Sequence, residues 1–115
     1  MKVTSLDRDT ARENLRRAVT ALAHRRPEVE RVLLFGSLAT GQTLPGSDAD
    51  LLIFLKHSDR PFLARMPLYT PEGCGIGVDV FPYTRAEIEQ MRASGNWFIA
   101  RALAEGVEIY SSGEI

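Results

Sequence analysis

Two short apolar runs constrain the fold of this chain more than any other feature. They are residues 32–35 (VLLF) and residues 51–55 (LLIFL), and no polar residue interrupts either of them. A strand with one face in water alternates polar and apolar residues, whereas an unbroken run of this length is typical of a strand covered on both faces. The sequence therefore predicts an α/β (α+β) fold in which helices flank a small mixed β-sheet.

Length and composition indicate one soluble domain. The 115 residues are 44% hydrophobic and 25% charged, close to the averages for globular proteins, so we expect a single domain over residues 1–115. No apolar run approaches the roughly 18 residues that a membrane-spanning helix needs. The first residues carry no apolar secretion signal and the single Cys74 has no internal disulfide partner, which favours the cytoplasm. A formal net charge of -1 argues against a long nucleic acid as substrate.

Apolar spacing and capping residues predict the helices. Apolar residues recur at helical spacing within residues 7–25 and predict a first helix there, with a capping box at Thr10. Thr84 is expected to cap a helix that runs to about residue 93. Asn96 is expected to cap another helix, which ends at Gly106 in a left-handed conformation. Further expected elements are a short helix after residue 37, one helical turn over residues 62–66, and strands over residues 78–81 and 107–110.

The candidate site lies where the two apolar runs meet polar residues. Gly36 and Ser37 close the first run, and Ser47, Asp48 and Asp50 lead into the second. Since side chains alternate along a strand, Asp48 and Asp50 point to the same side, with backbones roughly 6.5 to 7 Å apart. Two carboxylates on one face can hold a divalent ion. The backbone N–H groups and hydroxyl of a glycine-serine turn can hold an anion such as a triphosphate.

A third carboxylate completes the pattern. Asp79 falls within residues 78–81 (VDVF), where it shares a face with Phe81 and interrupts an apolar strand. A carboxylate in that setting needs water, a cation partner or a metal. Three carboxylates would suit Mg²⁺, and two such ions could activate a hydroxyl and stabilise a leaving pyrophosphate. The alternatives are a plain loop at the glycine-serine turn, solvated turn residues at Asp48 and Asp50, and an exposed Asp79 on an edge strand.

This order of motifs resembles the DNA polymerase β-like nucleotidyltransferase superfamily, and within it the small bacterial minimal nucleotidyltransferases. The resemblance covers residues 31–56 and 76–84 by motif, and residues 96–110 are similar to the family's C-terminal region. It implies a polymerase β-like fold and roles for six residues. Gly36, Ser37 and Ser47 would bind the nucleoside triphosphate; Asp48, Asp50 and Asp79 would ligate the metals, and Asp79 would also help to deprotonate the acceptor hydroxyl.

The resemblance also implies a reaction and a partner. The reaction is transfer of a nucleoside monophosphate, most often AMP from ATP, to a hydroxyl with release of pyrophosphate, assisted by two Mg²⁺ ions. A partner protein of the HEPN type would then hold the acceptor, and the nucleotidyltransferase would serve as its antitoxin. Other interpretations stay open: a catalytically silent binding antitoxin, a nucleotide-binding module, or a transferase acting on a small molecule such as an aminoglycoside.

A few residues depart from the family pattern or have two interpretations. Thr40 stands where many relatives carry Arg, which removes one potential phosphate contact. Arg60 or Arg65, in the Pro-rich connection after the second apolar run, could contact phosphates instead, although loop arginines are usually solvated. Trp97 and Phe98 are expected in the core, with partner docking as the alternative.

Overall fold

The structure is a computed structural model that describes residues 5–36 and 49–113. Its elements in chain order are α1 (Ser5–Arg25), β1 (Val29–Phe35), β2 (Ala49–Leu55), the one-turn helix α2 (Phe62–Arg65), a 3₁₀ turn (Pro67–Tyr69), β3 (Val78–Thr84), α3 (Arg85–Ala93), α4 (Trp97–Glu105) and β4 (Val107–Ser111). This order agrees with the predicted one. The short helix expected after residue 37 lies outside the described residues. In the described ranges, no helix combines the length and apolar character that crossing a membrane requires.

The strands form one mixed sheet in the order β3-β2-β1-β4. β1 pairs antiparallel with both β2 and β4. β2 and β3 are parallel, so the chain must cross back over the sheet between them, and residues 56–77 form that crossover. The predicted mixed sheet flanked by helices is confirmed.

The two apolar runs lie at the centre of this sheet and are covered on both faces. On one face Leu51 and Ile53 of β2 pack with α1 residues such as Leu15 and Val19, and all four are fully buried. On the other face the alternate residue Leu52 packs against α3 and α4. Burial on both faces explains why the runs contain no polar residue.

Two of the predicted helix caps are confirmed. Thr84 accepts a hydrogen bond from the Glu87 N–H while the Glu87 side chain accepts from the Thr84 N–H, which is a complete capping box at the start of α3. Asn96 accepts from the Ile99 N–H at 2.9 Å and caps α4. Thr84 ends β3 and begins α3, and Asn96 fixes the residue at which α4 begins, so the two caps set where α3 and α4 start over the sheet.

Two other predictions about helix ends are wrong. Helix α1 begins at Ser5, so Thr10 lies inside the helix, where a residue cannot adopt the extended backbone of a cap. Gly106 has an extended backbone, with φ -69°, rather than a left-handed one. Close packing accounts for this glycine, because a Cβ there would lie 2.5 Å from the Ala102 carbonyl oxygen and 3.2 Å from the Leu33 Cβ.

Arg65 is not a solvated loop residue, as the sequence suggested, but a buried anchor of the crossover. It is only 4% exposed. Its guanidinium donates to both carboxylate oxygens of Glu87, at 2.6 and 3.1 Å, and to the carbonyl oxygens of Arg60 and Pro82. These bonds fasten α2 to the end of β3 and the start of α3. The guanidinium is thus hydrogen-bonded at the end of β3 opposite to Asp79, where it stabilises the fold.

Candidate functional site

Asp50 and Asp79 lie side by side at the start of the parallel pair of strands. They are register partners across β2 and β3, and neighbouring strands lie about 4.8 Å apart. Residues at the same register position of a parallel pair point to the same face. Asp50 is half-buried and Asp79 is exposed. The two carboxylates are therefore adjacent on one face and open to solvent on the Asp79 side.

Gly36 brings the backbone of β1 against the carboxylate of Asp50. The glycine follows Phe35, the register partner of Asp50 in the antiparallel pair, and it has a φ of +89°. A Cβ at this position would lie 2.6 Å from the Asp50 Oδ2, a distance that real side chains do not tolerate. The left-handed backbone favours glycine here, and a side chain would have to displace the Asp50 carboxylate. The turn and the carboxylate pair thus form a single site.

The structure brings together the three predicted site residues that it describes. Gly36, Asp50 and Asp79 lie together at one end of the sheet. Ser37, Ser47 and Asp48 lie outside the described residues, so their predicted roles stay predictions. Within residues 5–36 and 49–113, no three His, Cys, Asp or Glu side chains form a group that could hold a metal. A three-carboxylate site would therefore need a residue outside these ranges, and Asp48 is the predicted one.

The chemistry of this donor set suits a hard divalent cation. Asp50 and Asp79 supply carboxylate oxygens from rigid neighbouring strands, and Mg²⁺ prefers oxygen ligands while keeping some of its water. Two carboxylates at this spacing also repel each other, and a bound cation would remove that repulsion. The open side at Asp79 leaves room for a substrate that carries its own oxygen ligands.

Sequence reasoning missed the aromatic surroundings of the carboxylates. The rings of Phe35, Phe81 and Phe98 form a cluster, here called the aromatic floor, with centroid separations of 5.9 Å (Phe35–Phe81), 5.4 Å (Phe35–Phe98) and 5.0 Å (Phe81–Phe98). Phe35 is the register partner of Asp50, and Phe81 follows Asp79 by two residues on the same face. The alternation within residues 78–81 already placed Phe81 beside Asp79. The contact with Phe98 could not be anticipated, because it depends on how α4 packs.

Trp97 differs from the expectation that it packs in the core. Its side chain is exposed, with 71% of the residue accessible, and the Arg101 guanidinium lies 5.9 Å from the centre of its ring. Helical geometry explains the difference, because residues 99 and 102 define the buried face of α4 and residues 97 and 101 lie opposite them. Phe98 is half-buried beside the sheet, in accordance with its predicted place in the core.

Two carboxylates among the described residues have a pKa that is lowered by a neighbouring arginine. The hydrogen bond from Arg65 lowers the pKa of Glu87, although partial burial opposes this shift. A hydrogen bond from Arg85 lowers the pKa of Glu30. Burial raises the pKa of the Cys74 thiol, which disfavours a nucleophilic thiolate. Glu87 and Glu30 thus form ion pairs that link neighbouring elements of the fold.

Comparison with known proteins gives a consistent result. The profile of the nucleotidyltransferase domain family matches residues 15–107, well over half of the chain. A crystal structure from Sulfolobus solfataricus, described as that of a candidate nucleotidyltransferase, superposes with a TM-score of 0.68 at 19% sequence identity. The match covers 99% of this chain and 92% of the other, and at that identity it establishes a shared fold. Among curated proteins no significant match is found.

Proposed function

Because the chain belongs to the nucleotidyltransferase domain family, we propose that it uses magnesium to transfer a nucleoside monophosphate from a nucleoside triphosphate to a hydroxyl group. ATP is the proposed donor, AMP the transferred group and pyrophosphate the leaving group. The bond that forms joins the acceptor oxygen to the α-phosphorus, and the bond that breaks joins that phosphorus to the oxygen bridging to the β-phosphate. The single observation that carries this proposal is the placement of Asp50 beside Asp79 on one face.

The proposed metal ligands are Asp48, Asp50 and Asp79. The last two are oxygen donors on adjacent strands, the type of ligand that Mg²⁺ takes. When bound, divalent ions at this position would neutralise phosphate charge and lower the pKa of the attacking hydroxyl. The chain's own contribution is to hold the carboxylates in place, since strands at the centre and edge of a packed sheet move little.

The remaining roles at the site are to orient the triphosphate and to accept the proton that the acceptor hydroxyl loses. Gly36 exposes the backbone beside Asp50, and together with Ser37 and Ser47 it is proposed to bind the phosphates through N–H and hydroxyl donors. Asp79 is exposed, so its carboxylate can accept the proton of an acceptor hydroxyl that approaches from solvent. The proposed mechanism is one of positioning and charge neutralisation without a covalent enzyme intermediate.

A partner protein of the HEPN type is the proposed holder of the acceptor, with this chain acting as its antitoxin. The support is the resemblance to minimal nucleotidyltransferases together with the exposed Trp97, since Trp and Arg are frequent anchors of protein interfaces. Modification of the partner by AMP and inhibition by direct binding are both compatible with such an interface. Among the residues that the structure describes, no comparable feature favours a small-molecule acceptor.

Transfer of labelled AMP tests the proposal. The protein, its co-purified partner and Mg²⁺ would be incubated with ATP labelled at the α-phosphate, and label on the partner would be measured. We expect transfer by the native protein and none by Asp48→Asn, Asp50→Asn or Asp79→Asn. Asp59→Asn is the matched control, because Asp59 is exposed in the crossover. The contrary result is a partner that stays unlabelled and is inhibited equally by the native protein and by Asp79→Asn. That result would mean that the protein is a binding antitoxin and not an enzyme.

A further inference from the structure

The aromatic floor lies beside the carboxylates of Asp50 and Asp79, on the side of the protein interior. Phe35 and Asp79 flank Asp50 on its two neighbouring strands, since each is a register partner of Asp50. Phe81 follows Asp79 on the same face. Phe98, the second residue of α4, lies against both Phe35 and Phe81, with ring separations of 5.4 and 5.0 Å. One ring from a helix therefore contacts both aromatic residues that border the carboxylates.

We propose that Phe98 is a positioning residue for the metal site: through Phe35 and Phe81 it holds Asp50 and Asp79 at a fixed separation and keeps water from their inner side. This inference rests on the proposed function, since it concerns the binding of a divalent cation to that same pair. The hydrophobic shell around a metal site controls solvent access and the local dielectric, and thereby how strongly charged ligands attract a cation. Phe98 itself touches no cation and no substrate.

The three rings act as one unit because each pair is in contact. Their interplanar angles are 46°, 75° and 54°, which are the tilted and edge-on arrangements that aromatic rings favour. Such packing restricts each ring, and Phe35 and Phe81 in turn restrict the strand positions beside the carboxylates. Removing the Phe98 ring leaves a gap between β1, β3 and α4. We expect water to enter that gap and the carboxylates to gain freedom.

The chain offers a matched control in a second aromatic pair on the same face of β3. Phe62 of α2 stacks on Tyr83, with ring centroids 4.7 Å apart. Like Phe98, Phe62 is half-buried and comes from a helix. Its partner Tyr83 is four residues from Asp79, at the other end of the strand. Phe62→Leu therefore removes a comparable aromatic contact without changing the surroundings of the carboxylates.

The test measures binding of Mn²⁺ alone, as a probe for the divalent site, by calorimetry and by the electron paramagnetic resonance signal of free Mn²⁺. We expect the native protein and Phe62→Leu to bind with the same Kd, and Phe98→Leu to bind about tenfold more weakly. Phe98→Tyr keeps the ring and should restore native affinity. Thermal melts identify variants that fail to fold. If Phe98→Leu is among them, Phe35→Leu takes its place, since Phe35 is the register partner of Asp50.

The outcomes separate this inference from the proposed function. A loss of affinity confined to Phe98→Leu or Phe35→Leu, at a Tm equal to that of Phe62→Leu, supports the positioning role. Equal affinity in all of these variants, with binding still abolished by Asp79→Asn, overturns the role of Phe98 and leaves the metal site intact. Absence of saturable Mn²⁺ binding to the native protein overturns both.

Discussion

The backbone of Gly36 lies so close to the carboxylate of Asp50 that a Cβ on Gly36 would stand 2.6 Å from Oδ2. This contact joins the end of β1 to the start of β2 at the place where the proposed phosphate-binding turn and metal-binding carboxylates meet. The left-handed backbone favours glycine there, and a side chain would have to displace the Asp50 carboxylate.

Gly36→Ala is expected to impair the site more than the fold. The left-handed φ of +89° should cost about 1–2 kcal/mol of stability with a side chain present. Displacement of the Asp50 carboxylate by the new methyl group should reduce AMP transfer by at least about tenfold, since small misplacements of reacting groups are costly. The control is Gly95→Ala, because Gly95 has a φ of +79° but nothing within 4 Å of a Cβ. If both variants lose the same activity, backbone strain rather than the contact with Asp50 is responsible.

Asp79→Asn should change how stability depends on Mg²⁺. Without metal we expect the variant to be as stable as the native protein or up to about 1 kcal/mol more stable, because like charges on paired strands repel. At a Mg²⁺ concentration 100 times its Kd, the native protein should gain about 2.7 kcal/mol and the variant almost nothing. Chemical denaturation with and without Mg²⁺ measures both effects. A full Mg²⁺ response in Asp79→Asn would exclude this residue as a ligand, whereas Asp59→Asn should respond like the native protein.

Arg65→Met should destabilise the fold by about 2 kcal/mol. The substitution removes the donors to Glu87, Arg60 and Pro82 but keeps most of the buried volume. The cost stays below that of a fully buried pair, because the Glu87 side chain is 42% exposed and can turn to water. Arg92→Ala breaks the exposed pair with Glu89 and should leave the urea midpoint almost unchanged. Urea midpoints of the two variants provide the comparison.

The same pair predicts an acid-sensitive contribution to stability. The hydrogen bond from Arg65 lowers the pKa of Glu87 below its ordinary value of 4.5, so the folded state binds this proton less readily than the unfolded state. The contribution is therefore present above pH 4.5 and is lost as the pH falls through the folded-state pKa. We expect the native protein to lose more stability than Glu87→Gln as the pH is lowered below 4.5. Parallel losses in both proteins would show that other carboxylates dominate.

Tyr69 predicts a loss of stability at alkaline pH. Its buried hydroxyl donates to the Glu28 Oε2 at 2.5 Å, and burial, with help from this bond, raises its pKa from 10.0 to about 12. The folded state thus retains the proton more strongly, so the contribution is complete below pH 10 and disappears as the pH rises toward 12. Tyr69→Phe should be about 1 kcal/mol less stable than the native protein at neutral pH. We expect this difference in stability between the two proteins to become smaller above pH 10. A constant difference would mean that the pKa of Tyr69 is not raised.

Prediction from sequence succeeded where the responsible forces are local. The capping box at Thr84 and the cap at Asn96 depend on residues three positions apart, so both could be inferred from the chain itself. It failed at Thr10 and Arg65. Helix α1 already begins at Ser5, before the apparent cap, and the carboxylate partner of Arg65 is 22 residues away in sequence, where no local pattern reveals it.

The sequence by itself determined the two buried strands, the order of the elements and the candidate residues Gly36, Asp50 and Asp79, because hydrophobic periodicity and turn chemistry are properties of short segments. Only the tertiary structure decided that Asp79 stands in register with Asp50 and that Phe98 covers the rings beside them. Register between β2 and β3 depends on how a crossover of more than twenty residues packs against the sheet. A one-residue slip would have turned one carboxylate to the opposite face.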